Sequence, residues 1–408
     1  MVSIRSFAAA EAQTSAALAA LARQLSDAGG DGHFVYAFYG CDHDGAALLD
    51  FLKQRFPDAA LLGGTSCSGV MSGGRLWGAE SIGLLVIDDA VGEYGVASAE
   101  LGDDPAATAQ ETLRAALENA GCPGELPELV WVFQAPGREE EVIDGMRRVV
   151  GDRCPIIGGS AADNSVAGDW RQIGPDGVLS NGLVVGVLFP SGGVGCSFQG
   201  GYEPAGPSGV VTRVGFDPAG DSGVVTQSSG RMIRTIDGRP AAEVYNGWIG
   251  DRLNGQMAHG GNILLETTMC PLAVDAGQVD GVPHYLLIHP ESVGPQGELN
   301  TFASIAEGTR IFSMRGDKER LIERAGRVAL EAVSSLPGAP ESLAGGLMVY
   351  CAGCMLAVDS RMPEVASKVA EAFSDKPFLG CFTFGEQGCM VERNVHGNLM
   401  ISAIAFGR

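Results

Sequence analysis

The chain has 408 residues, of which 45% are hydrophobic and 19% charged, and its formal net charge is −22 at pH 7. This length and composition predict a globular chain with two domains or one elongated repeat assembly, and they exclude the intrinsically disordered class. The excess of negative charge repels nucleic-acid phosphates and anionic membrane surfaces, so we expect neither as a partner.

Hydropathy and cysteine usage indicate the cellular compartment. The longest apolar runs, such as residues 182–189, have the length of a strand and not of a membrane-spanning helix. The first residues lack the apolar core of a signal peptide. Ten cysteines at irregular spacing are typical of a reduced cytosol and not of a disulfide framework. We therefore expect a cytoplasmic protein.

One pattern of helices and apolar strands recurs three times along the chain. The predicted helices are 11–28 and 45–55, 104–120 and 139–150, and 317–335 and 362–373, and the predicted strands are 33–39 and 81–87, 128–133 and 182–189, and 346–350 and 398–406. Near-continuous apolar strands that alternate with helices indicate sheets buried on both faces. The pattern predicts an α/β fold of repeated βα units that form helix-covered, largely parallel or mixed sheets.

Between the second and third copies lies a region of different composition, about residues 195–316. It is rich in Gly and Pro and contains short β-like runs at 209–212, 231–236 and 285–288. We interpret this region as an inserted β-rich subdomain.

Each copy contains a glycine turn followed by polar residues: turn one (63–69), turn two (158–164) and turn three (380–386). Because ligands of open α/β sheets bind beyond the carboxyl ends of the strands, we expect these turns to converge on one site. The alternative is that the glycines only make turns. The candidate ligand-binding residues are Gly64, Thr65, Ser66, Cys67, Gly159, Ser160, Asp163, Asn164, Cys351, Thr383 and Glu386. The turns contain neither a P-loop nor a dinucleotide fingerprint.

The Cys-x-x-Cys formed by Cys351 and Cys354 has three open interpretations. It is a packed pair in the core, a redox pair of a thiol-dependent enzyme, or half of a zinc site. A zinc site would need a second pair at suitable spacing, and Cys381 and Cys389 are separated by seven residues. No nucleophile elbow or carboxylate pair occurs, so we assign no catalytic residue and do not expect an enzyme.

The six histidines show no metal-binding spacing, and no metal site is predicted. A haem, however, can be held by one axial His or Cys. His43 lies after the first strand and His396 lies before the last, so both could face the same cleft. The candidate haem-binding residues are therefore His43, His396 and Cys354.

Several of these motifs resemble the FIST family of sensory domains. Residues 62–69 and 158–164, with 180–182, resemble the FIST N-terminal domain, and residues 209–241 resemble the junction into the FIST C-terminal domain. Residues 350–353 and 382–386 are similar to the closing motifs of that second domain. The resemblance implies an N-terminal domain at 1–195 and a C-terminal domain at 196–408, the latter divided into a β-rich part (about 196–316) and the third βα unit (about 317–408).

The resemblance also implies a function. FIST proteins are bacterial sensory input modules proposed to bind small ligands such as amino acids, and free-standing members include haem proteins that sense nitric oxide. Those members regulate a partner histidine kinase or cyclic-di-nucleotide enzyme, and we expect the same kind of partner here. The alternatives are an amino-acid-binding module without haem and a thiol-dependent enzyme. Cys354 replaces the family's usual Arg, and His396-Gly397-Asn398 replaces an Asn-x-Thr-like close.

Overall fold

The chain consists of three similar α/β units and a β-rich segment inserted in the third, as seen in a computed structural model that describes residues 1–205 and 222–408. Each unit runs strand, helix, strand, helix, strand, a two-stranded hairpin and a final strand. The predicted β-like run at 209–212 lies outside the described residues.

Units one and two have the same order of elements. Unit one comprises β1 (Ser3–Ala10), α1 (Thr14–Ala28), β2 (Phe34–Tyr39), α2 (Gly45–Arg55), β3 (Ala60–Thr65), β4 (Val70–Ser72), β5 (Arg75–Leu76) and β6 (Ser81–Asp88). Unit two comprises β7 (Glu93–Glu100), α3 (Pro105–Asn119), β8 (Leu129–Gln134), α4 (Glu139–Val150), β9 (Ile156–Ser160), β10 (Gln172–Gly174), β11 (Gly177–Leu179) and β12 (Gly182–Phe189).

Unit three begins with β13 (Val194–Gly200), and the β-rich segment follows that strand. The β-rich segment comprises β14 (Glu203–Pro204), β15 (Ser222–Ser229), β16 (Met232–Ile236), β17 (Arg239–Pro240), α5 (Ala241–Trp248), α6 (Asn254–His259), β18 (Gly261–Asn262), α7 (Leu264–Thr267), β19 (Leu272–Val279), β20 (Val282–Ile288), β21 (Pro290–Val293), β22 (Leu299–Thr301) and β23 (Arg310–Arg315). Unit three continues with α8 (Lys318–Ser334), β24 (Leu343–Cys351), α9 (Ala352–Val358), α10 (Met362–Ala372), β25 (Phe378–Thr383), β26 (Glu386–Met390), β27 (Arg393–Gly397) and β28 (Met400–Gly407).

The three units exchange their hairpins in a closed cycle. The sheets have the strand orders β1-β6-β2-β3-β10-β11, β7-β12-β8-β9-β26-β27 and β13-β28-β24-β25-β4-β5. Unit two thus completes the sheet of unit one, unit three completes that of unit two, and unit one completes that of unit three. The exchange links segments far apart in sequence: Met71 of β4 pairs with Gly380 of β25.

Each of these three sheets is mixed and is covered by helices, which confirms the predicted α/β class. The pairs β2/β3, β8/β9 and β24/β25 are parallel, and the other pairs are antiparallel. In each unit an Asp caps one helix: Asp44 caps α2, Asp104 caps α3 and Asp317 caps α8 through hydrogen bonds to backbone N–H groups.

The inner faces of the three sheets meet in one aromatic cluster that includes Phe34, Tyr36, Trp131, Leu347 and Phe406. The rings of Tyr36 and Trp131 lie edge to face, 5.0 Å apart at an interplanar angle of 77°. Burial of each such side chain stabilises the fold by about 1.5–3 kcal/mol. The central cluster joins the three units into one body, and the helices pack on the outer faces.

The structure contains elements that the sequence pattern does not predict. Each unit opens with an additional antiparallel strand (β1, β7 and β13), and the short helix α9 follows β24 directly. The third of these opening strands, β13, pairs with β28 and so belongs to unit three, whereas the sequence pattern places residues from about 195 onward in the β-rich region. In the described residues no helix is long and apolar enough to cross a membrane.

Candidate functional site

The three glycine turns meet at one end of the sheets through backbone hydrogen bonds. Cys67 N donates to Phe382 O at 3.1 Å, and Phe382 N donates to the Ser66 hydroxyl at 2.8 Å. Ser160 N donates to Gly385 O at 2.8 Å. Turn three is therefore held against both turn one and turn two.

A hydroxyl stands at the equivalent position of each unit. The parallel register pairs Tyr39 with Thr65, Gln134 with Ser160, and Cys351 with Thr383. Cys351 thus takes the place that Tyr39 and Gln134 hold in the other two units. The residue at this position differs in all three units, and in unit three it carries a thiol.

The hydroxyls are all bonded to protein groups. Thr65 Oγ1 accepts from Arg171 N at 2.9 Å, and Ser160 Oγ donates to Glu139 Oε1 at 2.7 Å. Thr383 Oγ1 donates to Glu386 Oε1 at 2.7 Å. The hydroxyls of these three predicted site residues therefore already have hydrogen-bond partners within the protein.

Glu386 is fully buried beside Cys351. Burial, with a smaller contribution from Cys351, raises the pKa of Glu386 well above its ordinary value. The carboxyl also accepts from Met400 N at 3.1 Å. This environment favours the protonated form of the Glu386 carboxyl over its ionised form.

Asp163 and Asn164 of turn two organise loops. Asp163 Oδ1 and Oδ2 accept hydrogen bonds from five backbone N–H groups, those of residues 165–169. Asn164 Oδ1 accepts from Ser68 N at 2.7 Å, which ties turn two to turn one. Both side chains stabilise the junction of the turns.

A cavity with a volume of about 940 Å³ lies beside the turns, between units two and three and the β-rich segment. It is lined by Pro136, Gly137, Glu139, Val166 and Trp170 of unit two; by Lys318, Cys351, Ala352, Gly353, Leu356, Ala357, Phe384 and Asn398 of unit three; and by Ser229, Arg231, Met232, Asn262, Leu264, Leu265, Thr268, Met269, His289, Glu291, Asn300, Thr301 and Phe302 of the β-rich segment. We call this the main cavity.

The main cavity contains few of the residues that the sequence offered as ligands. Cys351 lines it, and Phe384 is the lining residue that turn three contributes. In the described structure, ten further candidates do not line the main cavity: Gly64, Thr65, Ser66, Cys67, Gly159, Ser160, Asp163, Asn164, Thr383 and Glu386. The three turns thus meet as expected, but the main cavity lies to one side of them, toward the β-rich segment.

Large apolar side chains are exposed at the main cavity. Leu265 is 84% exposed, Leu356 is 60% exposed and Val166 is 55% exposed. They come from the β-rich segment, unit three and unit two respectively. Apolar groups that gather from three parts of a chain around one cavity are typical of a binding site.

An ion pair joins the two sides of the main cavity. Arg231 Nη2 donates to Glu139 Oε2 at 2.6 Å and to Glu140 Oε2 at 2.7 Å. Burial alone would raise the pKa of Glu139, but electrostatic interactions with His396 and Arg231 and hydrogen bonds lower it to about 2. Glu139 is therefore ionised at neutral pH and holds the guanidinium at the cavity wall.

Part of the Arg231 guanidinium remains open to the main cavity. Among the described residues, the Nε and Nη1 atoms of Arg231 have no hydrogen-bond acceptor. Glu291, which is half-buried, lines the same cavity, and burial raises its pKa. The polar side of the cavity thus presents guanidinium donors and a carboxyl group.

His289 forms a neutral part of the wall. Its Nε2 lies 3.3 Å from Leu264 O and 3.4 Å from Thr268 Oγ1, and its backbone N donates to Asn398 Oδ1 at 3.2 Å. Burial lowers the pKa of His289 to about 4. The imidazole is uncharged at neutral pH.

None of the three candidate haem ligands lines the main cavity in the described structure. His43 is bonded to Thr14 Oγ1 at 3.2 Å, and Cys354 Sγ lies 3.5 Å from Leu399 O. His396 Nε2 lies 3.4 Å from Phe302 O. Within residues 1–205 and 222–408, no group of three His, Cys, Asp or Glu side chains could hold a metal ion.

Sequence reasoning missed Arg231, Glu139, His289 and Glu291. Arg231 was part of a β-like run and Glu139 was the start of a helix, and neither position carries a motif. In the sequence, Arg231 and Glu139 are each a charged residue beside an apolar run, and this pattern is common on protein surfaces. Only the docking of the β-rich segment onto unit two brings them together.

Comparisons with known proteins identify the family of this chain. Residues 33–214 match the FIST N domain, and residues 241–389 match the FIST C domain. Comparison with curated proteins gives no match. The crystal structure of cyanuric acid hydrolase from A. caulinodans aligns with a TM-score of 0.38 and 10% identity, over 100% of this chain and 99% of the hydrolase, a likeness too weak for any inference. The chain belongs to the FIST family, whose domains are sensory ligand-binding domains of signal transduction.

Proposed function

We propose that the chain senses a small amphipathic metabolite of the amino-acid class by binding it in the main cavity. The observation that carries this proposal is the pairing of exposed apolar side chains with an incompletely bonded guanidinium around one 940 Å³ space. Cavities of this size, mostly apolar with a few placed polar groups, are typical of small-molecule sites.

Each part of such a ligand has a counterpart in the wall. A carboxylate can accept a charge-assisted hydrogen bond from Arg231 Nε or from Nη1. An ammonium group can bind the carboxyl of Glu291 and would favour its ionised form. An apolar side chain would cover Leu265 and Leu356 and remove their surface from water.

The position of the cavity suggests how binding becomes a signal. A ligand held by Arg231 on one side and Leu356 on the other contacts the β-rich segment and unit three together. Such a ligand favours the arrangement in which both sides are in place. Output to a partner histidine kinase or cyclic-di-nucleotide enzyme stays a prediction, as do haem and nitric oxide.

A thermal-shift screen with the twenty amino acids tests the proposal. At least one of them should raise the unfolding midpoint, since a ligand at 100 times its Kd stabilises the native state by about 2.7 kcal/mol. Arg231→Met should abolish that increase. The matched control is Arg239→Met, which removes an exposed partner of Glu243 far from the lining. No stabilising amino acid, or equal stabilisation in both variants, would refute the proposal.

A further inference from the structure

A second cavity of about 250 Å³ lies on the other side of unit three, between α8, β13 and β20. Its polar wall contains Arg324, Gln199 and His284, and its apolar wall includes Leu287, Met314 and Met390. It shares no lining residue with the main cavity. We call it the small cavity.

The guanidinium of Arg324 has only a neutral partner here. Its Nη1 donates to Gln199 Oε1, and its Nε is buried with no hydrogen-bond partner in the described structure. Glu331, which interacts electrostatically with Arg324, is itself bonded to Ser197 and Gln199. No carboxylate of the described residues forms an ion pair with Arg324.

Two neighbouring arginines, unlike Arg324, are paired with a carboxylate. Arg315 and Arg320 each make an ion pair with Glu203, at 2.9 Å and 2.8 Å. Burial and the nearby charges of Arg327 and Arg320 disfavour the charged form of Arg324 and lower its pKa. Arg324 thus places a positive charge beside the small cavity, and no carboxylate of the described residues is paired with it. An anion bound in the cavity would be stabilised by this charge.

We propose that the small cavity binds a short-chain aliphatic carboxylate, with Arg324 as its anchor. A carboxylate would accept from the Arg324 guanidinium, with which no carboxylate of the described residues forms an ion pair, and His284 lies on the same wall. The walls of Leu287, Met314 and Met390 suit a chain of a few carbons. They offer no donors to the remaining oxygens of a phosphate, and an unsatisfied polar atom is costly to bury.

The small cavity adjoins the main one through a short chain of side chains. Tyr202 lines the small cavity, and its hydroxyl lies 3.6 Å from Cys354 Sγ. Cys354 lies one helical turn from Cys351, which lines the main cavity. A carboxylate in the small cavity would therefore lie beside Tyr202, which connects through Cys354 to the wall of the main cavity. The binding itself does not depend on the function proposed for the main cavity.

Methionine-methyl NMR tests this assignment on the intact chain. Met314 and Met390 report on the small cavity, whereas Met232 and Met269 report on the main cavity. Butyrate at constant ionic strength should shift the first pair of resonances with saturation, and chloride should not. Inorganic phosphate in a parallel titration should give no saturable shift.

Two variants test the role of Arg324, one as the test and one as its control. Arg324→Met should weaken butyrate binding by about tenfold or more, because it removes a charge-assisted hydrogen-bonding anchor. Arg327→Met removes the same charge from an exposed position on the same helix and should leave the Kd within about twofold. A butyrate shift only at Met232 and Met269, saturable phosphate binding at Met314 and Met390, or equal loss in both variants would overturn the proposal. Failure of the amino-acid screen would leave this result unaffected.

Discussion

Arg231 of the β-rich segment and Glu139 of unit two form an ion pair of 2.6 Å at the wall of the main cavity. The Glu139 side chain is 3% exposed and that of Arg231 is 25% exposed, so the pair is largely withdrawn from water. The same guanidinium both joins two parts of the fold and faces the cavity. Structural and ligand-binding roles therefore meet in one residue.

Arg231→Met should lower the free energy of unfolding by about 2–3 kcal/mol. The substitution leaves the buried Glu139 carboxylate without its cation, and an uncompensated buried charge is costly. Urea unfolding at pH 7 measures the effect. Arg239→Met, which breaks an exposed pair with Glu243, should cost at most about 0.5 kcal/mol. Equal losses in the two variants would show that the Glu139 pair is not buried as described.

His289 should make the fold sensitive to mild acid. Its pKa is lowered from 6.5 to about 4 by burial, so the unfolded chain takes up a proton at a higher pH than the folded chain. The stability from the neutral imidazole is complete above pH 6.5 and is lost as the pH falls toward 4.

Between pH 7 and pH 5 this loss amounts to about 2 kcal/mol. The wild type should lose that much more unfolding free energy over this range than His289→Asn, which cannot titrate. Urea unfolding at both pH values provides the comparison. Parallel losses in the two proteins would show that the folded His289 titrates normally.

Gly158 should not tolerate a side chain. A Cβ at this position would lie 1.7 Å from Val132 O of the paired strand, and backbone in a sheet cannot move away cheaply. Gly158→Ala should cost about 3 kcal/mol or more, or prevent folding. Gly247→Ala is the control, because a Cβ there meets nothing within 4 Å and alanine favours the helix α5. Gly158→Ala with wild-type stability would contradict the strand register.

The thiols of Cys351 and Cys354 should react slowly in the folded protein. Both are buried, and burial raises the pKa of Cys351 well above its ordinary value, so little thiolate is present at neutral pH. Iodoacetamide at pH 7.5 should label the partly exposed Cys41, Cys270 and Cys389 first, as read by peptide mass spectrometry. Rapid labelling of Cys351 would instead favour the thiol-dependent enzyme considered from the sequence.

The sequence predicted the helices and the long strands well, because their apolar patterns are local. The helix expected at 317–335 spans Lys318–Ser334, and the strand expected at 182–189 spans Gly182–Phe189. The hairpin exchange could not be predicted, since Met71 and Gly380 pair across more than three hundred residues of chain.

The candidate site was harder to predict than the fold. Turns one, two and three do meet, although the glycines that open them lie within strands β3, β9 and β25 and not in bends. The cavity beside them depends on where the β-rich segment docks, which no local pattern encodes. Arg231 and Glu139 therefore looked like ordinary surface charges, and Cys351 is the one predicted site residue that lines the main cavity.

A crystal structure of the chain with the amino acid that stabilises it most tests the central claim directly. The account predicts electron density for the ligand in the main cavity, with its carboxylate within 3.2 Å of Arg231 Nε or Nη1 and its side chain against Leu265 or Leu356. Ligand density at another site, with the main cavity filled only by water, would contradict it.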